Sequence, residues 1–391
     1  MSGRDFTQNP GPTNIPERVL RAMARPPIDF GTDEFAELLE GCFAELNALF
    51  NNSGVLIGYT SSGHGSWEAT TTNLFEEGDR VLLCDTGLFS AKWAELCLGH
   101  GVKVDRLVTG ERSGVDPEAL RNALAGDLNH EIRAVLVCHT ETSTGITSDL
   151  GAMRGVLDEL DHPALFVVDA IASFATTEID MEAHRIDVAL AASQKGLMMP
   201  IGLSVSAVSN AAIEHAQRCD RPRYYWDWRS RLEVEGYRKF CGTPPIHHLF
   251  GLREALDIFA EQGGLSAVVD RHRRLASAVQ IAVRCWGQPG ALELNALHEE
   301  QLANSVTCIR LADGIDANEI VRVAREQFNV TIGTGVGEMW GRSIRIGHMG
   351  DLNAAMVLGA LGGVEAAMRS LGVPVGSGAL EAAAIHLAAT A

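Results

Sequence analysis

Between about residues 55 and 208, short apolar runs alternate with amphipathic ones. Val55–Tyr59, Val81–Cys84, Val102–Leu107, Ala134–Cys138, Ala164–Val168, Val188–Ala192 and Leu203–Ala207 are rich in Val, Ile, Leu or Ala and flanked by Gly, Asp or charged residues. Runs of this length and composition predict strands buried on both faces. Helical patterns lie between several of them; 116–125 opens with Asp-Pro-Glu, which both caps and starts a helix. Strand–helix alternation predicts an α/β domain built on a mostly parallel, doubly wound sheet.

After Asp220 the pattern changes. A polar, aromatic stretch, Arg223-Tyr224-Tyr225-Trp226-Asp227-Trp228, leads to Pro244-Pro245, and a helical region runs from about His248 to Trp286, interrupted near Gly263-Gly264. Strand candidates Ser305–Arg310, Val330–Gly333 and Ser343–Ile346 alternate with helices over Ala317–Gln327 and Leu352–Leu371. This predicts a smaller α+β C-terminal domain joined by part of the N-terminal segment. We place the large domain at 17–255 and the small one at 1–16 and 256–391. No low-complexity linker separates them, so they should pack closely.

Composition narrows the partners. The chain has 391 residues, 46 % hydrophobic and 21 % charged, with a formal net charge of -18. That charge disfavours nucleic acid and anionic membranes, while a local Arg or helix terminus can still hold a small anion. No apolar run is long enough to span a bilayer. The eight cysteines form no C-x-x-C pair. Cys84, Cys138 and Cys308 sit in apolar runs and read as buried free thiols, which fits a reducing cytosol. The first residues lack the apolar core of a secretory signal, so a cytoplasmic location is expected. No cysteine–histidine spacing points to a metal.

Lysine is scarce: Lys92, Lys103, Lys195 and Lys239 are the full set. The first, second and fourth lie in amphipathic, strand-edge or polar settings and read as solvated charges. Lys195 follows the apolar strand Val188–Ala192 and precedes Gly196-Leu197-Met198-Met199-Pro200. Desolvation there lowers an ammonium's pKa, and the neutral amine is the form that condenses with an aldehyde. Alone, such a lysine could equally be a structural ion pair. Asp169 ends the strand Ala164–Val168, where an acid points into the ligand crevice of a parallel sheet. Pyridoxal phosphate needs such a carboxylate against its ring nitrogen; a strand-end Asp capping a turn is the plainer alternative. Ser61-Ser62-Gly63-His64-Gly65-Ser66 stands between a strand and a helix and suits one phosphate. It has neither the Gly-Lys-Ser/Thr of a P-loop nor the acidic ribose partner of a dinucleotide site.

Pro10-Gly11-Pro12-Thr13-Asn14-Ile15-Pro16, Glu141-Thr142-Ser143-Thr144-Gly145, Val168-Asp169, Ser193-Gln194-Lys195-Gly196 and Arg345-Ile346-Gly347 follow one another in this order. With Phe250–Leu256 they make the chain resemble, over nearly its whole length, the class V aminotransferases, especially the serine–glyoxylate and alanine–glyoxylate groups. The resemblance implies an aspartate-aminotransferase-like (fold type I) large domain and pyridoxal 5'-phosphate as cofactor. It also implies a homodimer with its active site at the subunit interface. Lys195 would be the Schiff-base lysine and proton shuttle, and Asp169 the partner of the ring nitrogen. Phe89 and Ile171 would flank the ring, and Thr142 would bond its hydroxyl. Ser62, Gly63, His64 and Gln194 would hold the phosphate, with Thr243 from the second subunit. Arg345 and Gly11 would receive the substrate, Arg345 by its carboxylate.

The implied reaction moves an amino group from a small amino acid, serine or alanine favoured, to a 2-oxo acid, with glyoxylate first. Relatives use aspartate, ureidoglycine or pyridoxamine with pyruvate as alternatives, and others are lyases acting on cysteine. We place no cysteine in a loop over the site. A non-catalytic binding protein is the remote alternative, since a pure binder has no need of a desolvated amine. Three departures bear on the amino donor: Phe240 replaces a phosphate-binding Tyr, Asp29-Phe30-Gly31-Thr32 replaces Asp-His-Arg-Gly, and Thr140 replaces Asn.

Overall fold

A computed structural model describes residues 5–390. Strand β1 (Phe6–Gln8) precedes helices α1 (Glu17–Met23) and α2 (Asp33–Leu49). Then come β2 (Val55–Tyr59), α3 (Gly63–Leu74), β3 (Arg80–Asp85), α4 (Leu88–Gly99), β4 (Lys103–Val108), α5 (Pro117–Ala125) and β5 (Ile132–Cys138). A hairpin of β6 (Thr140–Glu141) and β7 (Ile146–Thr147) leads to α6 (Leu150–Glu159), β8 (Leu165–Asp169), β9 (Val188–Ala192) and β10 (Ser204–Val208). Helices α7 (Asn210–Ala216), α8 (Arg229–Leu232), α9 (Ile246–Glu261) and α10 (Leu265–Trp286) follow. The chain closes with β11 (Leu292–Leu294), β12 (Val306–Leu311), α11 (Ala317–Phe328), β13 (Val330–Thr334), β14 (Ser343–Gly347), α12 (Ala354–Ser370) and α13 (Ala379–Ala389).

The large sheet has the order β2-β10-β9-β8-β5-β3-β4. Strands β3, β4, β5, β8 and β9 are parallel, whereas β10 runs against both β9 and β2. The reversal has a simple cause. The link over 193–203 is too short for the helical crossover that a parallel neighbour requires. Each strand of the parallel set feeds two cores. Leu82, Cys84, Val135, Val137, Phe166 and Val168 face one, while Val81, Leu83, Ala134, Leu136 and Val167 face the other. This is the fold type I α/β arrangement, covered on both sides. Local signals act as the sequence predicts: Asp116 caps α5 through the Glu118 amide with Pro117 in the first turn.

The second sheet, β1-β13-β14-β12-β11, is antiparallel except for the β1–β13 pair. Its own core runs from Leu275 to Leu387. The expected division at 255/256 lies earlier than this change of core, because Leu256, Ile258, Phe259 and Val268 still pack with Val19, Leu39 and Leu46. Strands β1 and β11 and helices α1, α2 and α13 come in addition to the elements the pattern predicts. No helix among the described residues is long and apolar enough to cross a membrane. No cluster of His, Cys, Asp or Glu among them forms a metal-binding group.

Candidate active site

The parallel strands deliver the site residues from their carboxyl ends, the usual ligand crevice of such sheets. Beyond β2 comes the Ser62-Gly63-His64 turn that opens α3. Beyond β3 come Gly87 and the start of α4 with Phe89. Strand β5 ends at Cys138, β8 at Asp169, and Lys195 follows β9. These residues surround one cavity of about 340 Å³, lined by Gly11, Ser62, Gly63, His64, Phe89, Thr142, Asp169, Ile171, Gln194 and Lys195, with Trp67, Cys138, Thr140 and Ile201 among the rest. Residues far apart in sequence thus meet in one place.

The Lys195 ammonium donates to the carbonyl of Pro10. Thr13 secures the same turn: its amide donates to the Gln194 carbonyl and its hydroxyl to the Lys195 carbonyl, both at 3.2 Å. At Gly11, φ is +113° and a Cβ would stand 2.5 Å from Lys195 Nζ, so glycine is required there on both grounds. Desolvation, with the Arg345 charge second, brings Lys195 down to about 8, against the pull of Asp169 and Glu141. Burial lifts Asp169 to about 6, although the Ile171 amide (2.7 Å) and the Trp67 indole (2.8 Å) donate to its carboxylate. Both groups therefore change protonation close to neutral pH.

Arg345, on β14, lies just beyond the residues that line the cavity. It is 9 % exposed. Nε donates to the Thr334 carbonyl at 2.8 Å and Nη1 to the Thr142 carbonyl at 2.9 Å. No carboxylate among the described residues lies within ion-pairing distance. Thr142, a cavity residue, thus connects the guanidinium to the site. Thr243 is not in this cavity: it is exposed and shares a different, open one with Phe30, Tyr237 and Phe240. Two of the sequence departures therefore sit beside Thr243. The third, Thr140, lines the main cavity and bonds Thr147 at 2.8 Å between hydroxyls.

Sequence reasoning missed three residues. Trp67, in the second turn of α3, donates to Asp169. Glu141, quoted in a motif but given no role, is fully buried and accepts from the Phe89 and Ser90 amides (2.9 and 3.0 Å) and from the Ser143 amide and hydroxyl (3.0 and 2.7 Å). Burial raises its pKa, the donors on both oxygens oppose that rise, and it fixes the helix start that carries Phe89. Cys138 does reach the cavity, from a strand end rather than a loop. Burial first, then the Asp169 and Glu141 charges, push its thiol well up. It is no nucleophile, which weighs against cysteine-lyase chemistry.

These residues fit pyridoxal 5'-phosphate. Gln194 lines the cavity, and its side-chain amide N–H groups are donors that suit an anion there. A side chain at Gly63 would collide with Ile171, so the turn needs glycine to bring its backbone to the cavity. The start of α3 offers its amides to an anion, and Asp169 offers a carboxylate to a ring nitrogen.

Comparison with known proteins gives the family. The family model for class V aminotransferases matches residues 6–339. A serine–glyoxylate aminotransferase of Methylorubrum extorquens is 39 % identical, covering 98 % of this chain and 95 % of its own. An L-aspartate–glyoxylate aminotransferase of Paracoccus denitrificans is 37 % identical, covering 96 % and 94 %. The crystal structure of the pyridoxamine–pyruvate aminotransferase of Mesorhizobium loti superposes with a TM-score of 0.90 at 25 % identity, over 100 % of this chain and 98 % of that one.

Proposed function

Since this chain belongs to the class V aminotransferases, we propose that it uses pyridoxal 5'-phosphate to pass the amino group of serine or alanine to glyoxylate. Lys195 and Asp169 at one cavity, with Arg345 held against Thr142, are the observation that carries this reading. Bound there, the cofactor supplies a ring that accepts the electrons of the substrate Cα–H bond.

Each residue has a task that follows from its surroundings. Ser62, Gly63, His64 and Gln194 hold the phosphate at the α3 terminus. Phe89 and Ile171 enclose the ring, and Thr142 meets its hydroxyl. Asp169 keeps a proton on the ring nitrogen. Lys195 Nζ would take the proton from the substrate Cα and hold it beside the cofactor. With its pKa near 8, about a quarter of Lys195 is neutral at pH 7.5, against about one part in a thousand at the ordinary 10.5. Arg345 grips the substrate carboxylate, and Gly11 leaves room beside Lys195. The net chemistry releases the donor as its 2-oxo acid and the acceptor as an amino acid.

The lining favours a small uncharged donor. Among the described residues no arginine lines the cavity, and Arg345 beyond it is matched by one carboxylate, so the second carboxylate of aspartate would be desolvated without a partner. We also infer that the chain works as a homodimer, with Thr243 of one copy completing the phosphate site of the other. Half-reactions with serine, alanine, aspartate, ureidoglycine and pyridoxamine, then glyoxylate or pyruvate, test the assignment. Serine or alanine should react fastest, with glyoxylate as acceptor; an aspartate optimum would overturn it.

A further inference from the structure

Asp169 is 6 % exposed, yet donors from this chain occupy both carboxylate oxygens. Oδ1 accepts from the Ile171 amide at 2.7 Å, and Oδ2 from the Trp67 indole N–H at 2.8 Å. The Cys138 thiol is a weaker donor to Oδ2 at 3.6 Å. Trp67 is itself fixed. It is 1 % exposed and stacks on Trp93 at 5.7 Å with the planes 7° apart, and the His64 ring lies 4.3 Å from it.

The geometry points to Trp67 as a positioning residue: its N–H keeps Asp169 ionised and aimed at the ring nitrogen, and its ring ties that acid to the phosphate turn at His64. The inference rests on the reading of Asp169 as the partner of that nitrogen. A hydrogen bond to the charged form stabilises it, so it opposes the burial that favours a neutral carboxyl. The charged groups facing Asp169 act in opposite senses. Glu141 on β6 adds to the effect of burial, while the Lys195 ammonium attracts the carboxylate. The Cys138 thiol on β5 is uncharged. Without the indole donor, Asp169 is more readily protonated and freer to turn. The ring nitrogen then loses its carboxylate.

Trp67→Phe keeps an aromatic ring and removes the N–H. Absorbance titration of the apoenzyme would give dissociation constants for pyridoxal 5'-phosphate and for its 1-deaza analogue, which has carbon at the ring-nitrogen position. The wild type should prefer the natural cofactor strongly, and Trp67→Phe should reduce that preference at least tenfold. A purely structural role for Trp67 weakens both ligands alike and leaves the ratio unchanged, which overturns the inference. A wild-type ratio near one would instead overturn the reading of Asp169. If Trp67→Phe does not fold, the wild-type apoenzyme decides. One indole N–H resonance should shift with pH around 6, and the shift should vanish in Asp169→Asn. No titrating indole overturns the inference.

Discussion

Replacing Arg345 with alanine separates recognition of the substrate carboxylate from binding of the cofactor. The guanidinium is already held by the Thr334 and Thr142 carbonyls at 2.8 and 2.9 Å, and no resident carboxylate must be displaced. An incoming carboxylate therefore gains charge-assisted hydrogen bonds to a preset group, each contributing about 1.5–3 kcal/mol. A forked pair is then worth about 3–6 kcal/mol, or about two to four powers of ten in kcat/KM. Cofactor affinity should fall less than about tenfold, because Arg345 lies beyond the residues that line the cavity and reaches the cofactor only indirectly, through the Lys195 pKa and its bond to the Thr142 carbonyl. Half-reactions with serine and with ethanolamine, which lacks the carboxylate, provide the assay. Arg345→Ala should slow serine by that factor and leave ethanolamine nearly unchanged. Equal slowing of the two, or an equal loss of cofactor, would refute the argument and remove Arg345 from the substrate site.

Two further predictions follow from buried charge. Burial lowers the Lys195 pKa to about 8, so the protonated amine dominates below that pH. The rate at which apoenzyme captures pyridoxal 5'-phosphate should rise with pH around 8 and level off above; a midpoint near 10.5 contradicts the desolvation argument. Glu141→Leu strands the Phe89, Ser90 and Ser143 amides in the interior, at a cost of about 3 kcal/mol or more. Urea unfolding checks this, and a loss under about 1 kcal/mol contradicts it.

The legible part of the fold was whatever has a local cause. The strands of the parallel sheet are continuous apolar runs, and α5 announces its start with Asp116-Pro117. The antiparallel direction of β10 depends on the length of its link to β9, which a periodicity scan does not weigh. Helix α13 is almost uniformly Ala-rich and has no polar face to mark a period; β1 and β11 are three residues each. In the site, Lys195, Asp169 and the Ser62–His64 turn were legible because each ends a strand, follows one closely or opens a helix. Trp67 and Glu141 were not, because their roles lie in contacts to residues distant in sequence. Trp67 reaches Asp169, 102 positions away, and Glu141 caps Phe89, 52 away. Arg345 could be found by its motif, but its attachment through the Thr142 carbonyl is visible only in the fold.

The central claim is that Lys195 is the amine that holds the cofactor, and the scarcity of lysine makes it directly testable. Borohydride reduction of the loaded enzyme, followed by peptide mapping, should place the pyridoxyl label on Lys195 alone, and Lys195→Ala should lose the visible cofactor band. A label on Lys92, Lys103 or Lys239, or a visible band that survives Lys195→Ala, would contradict the account.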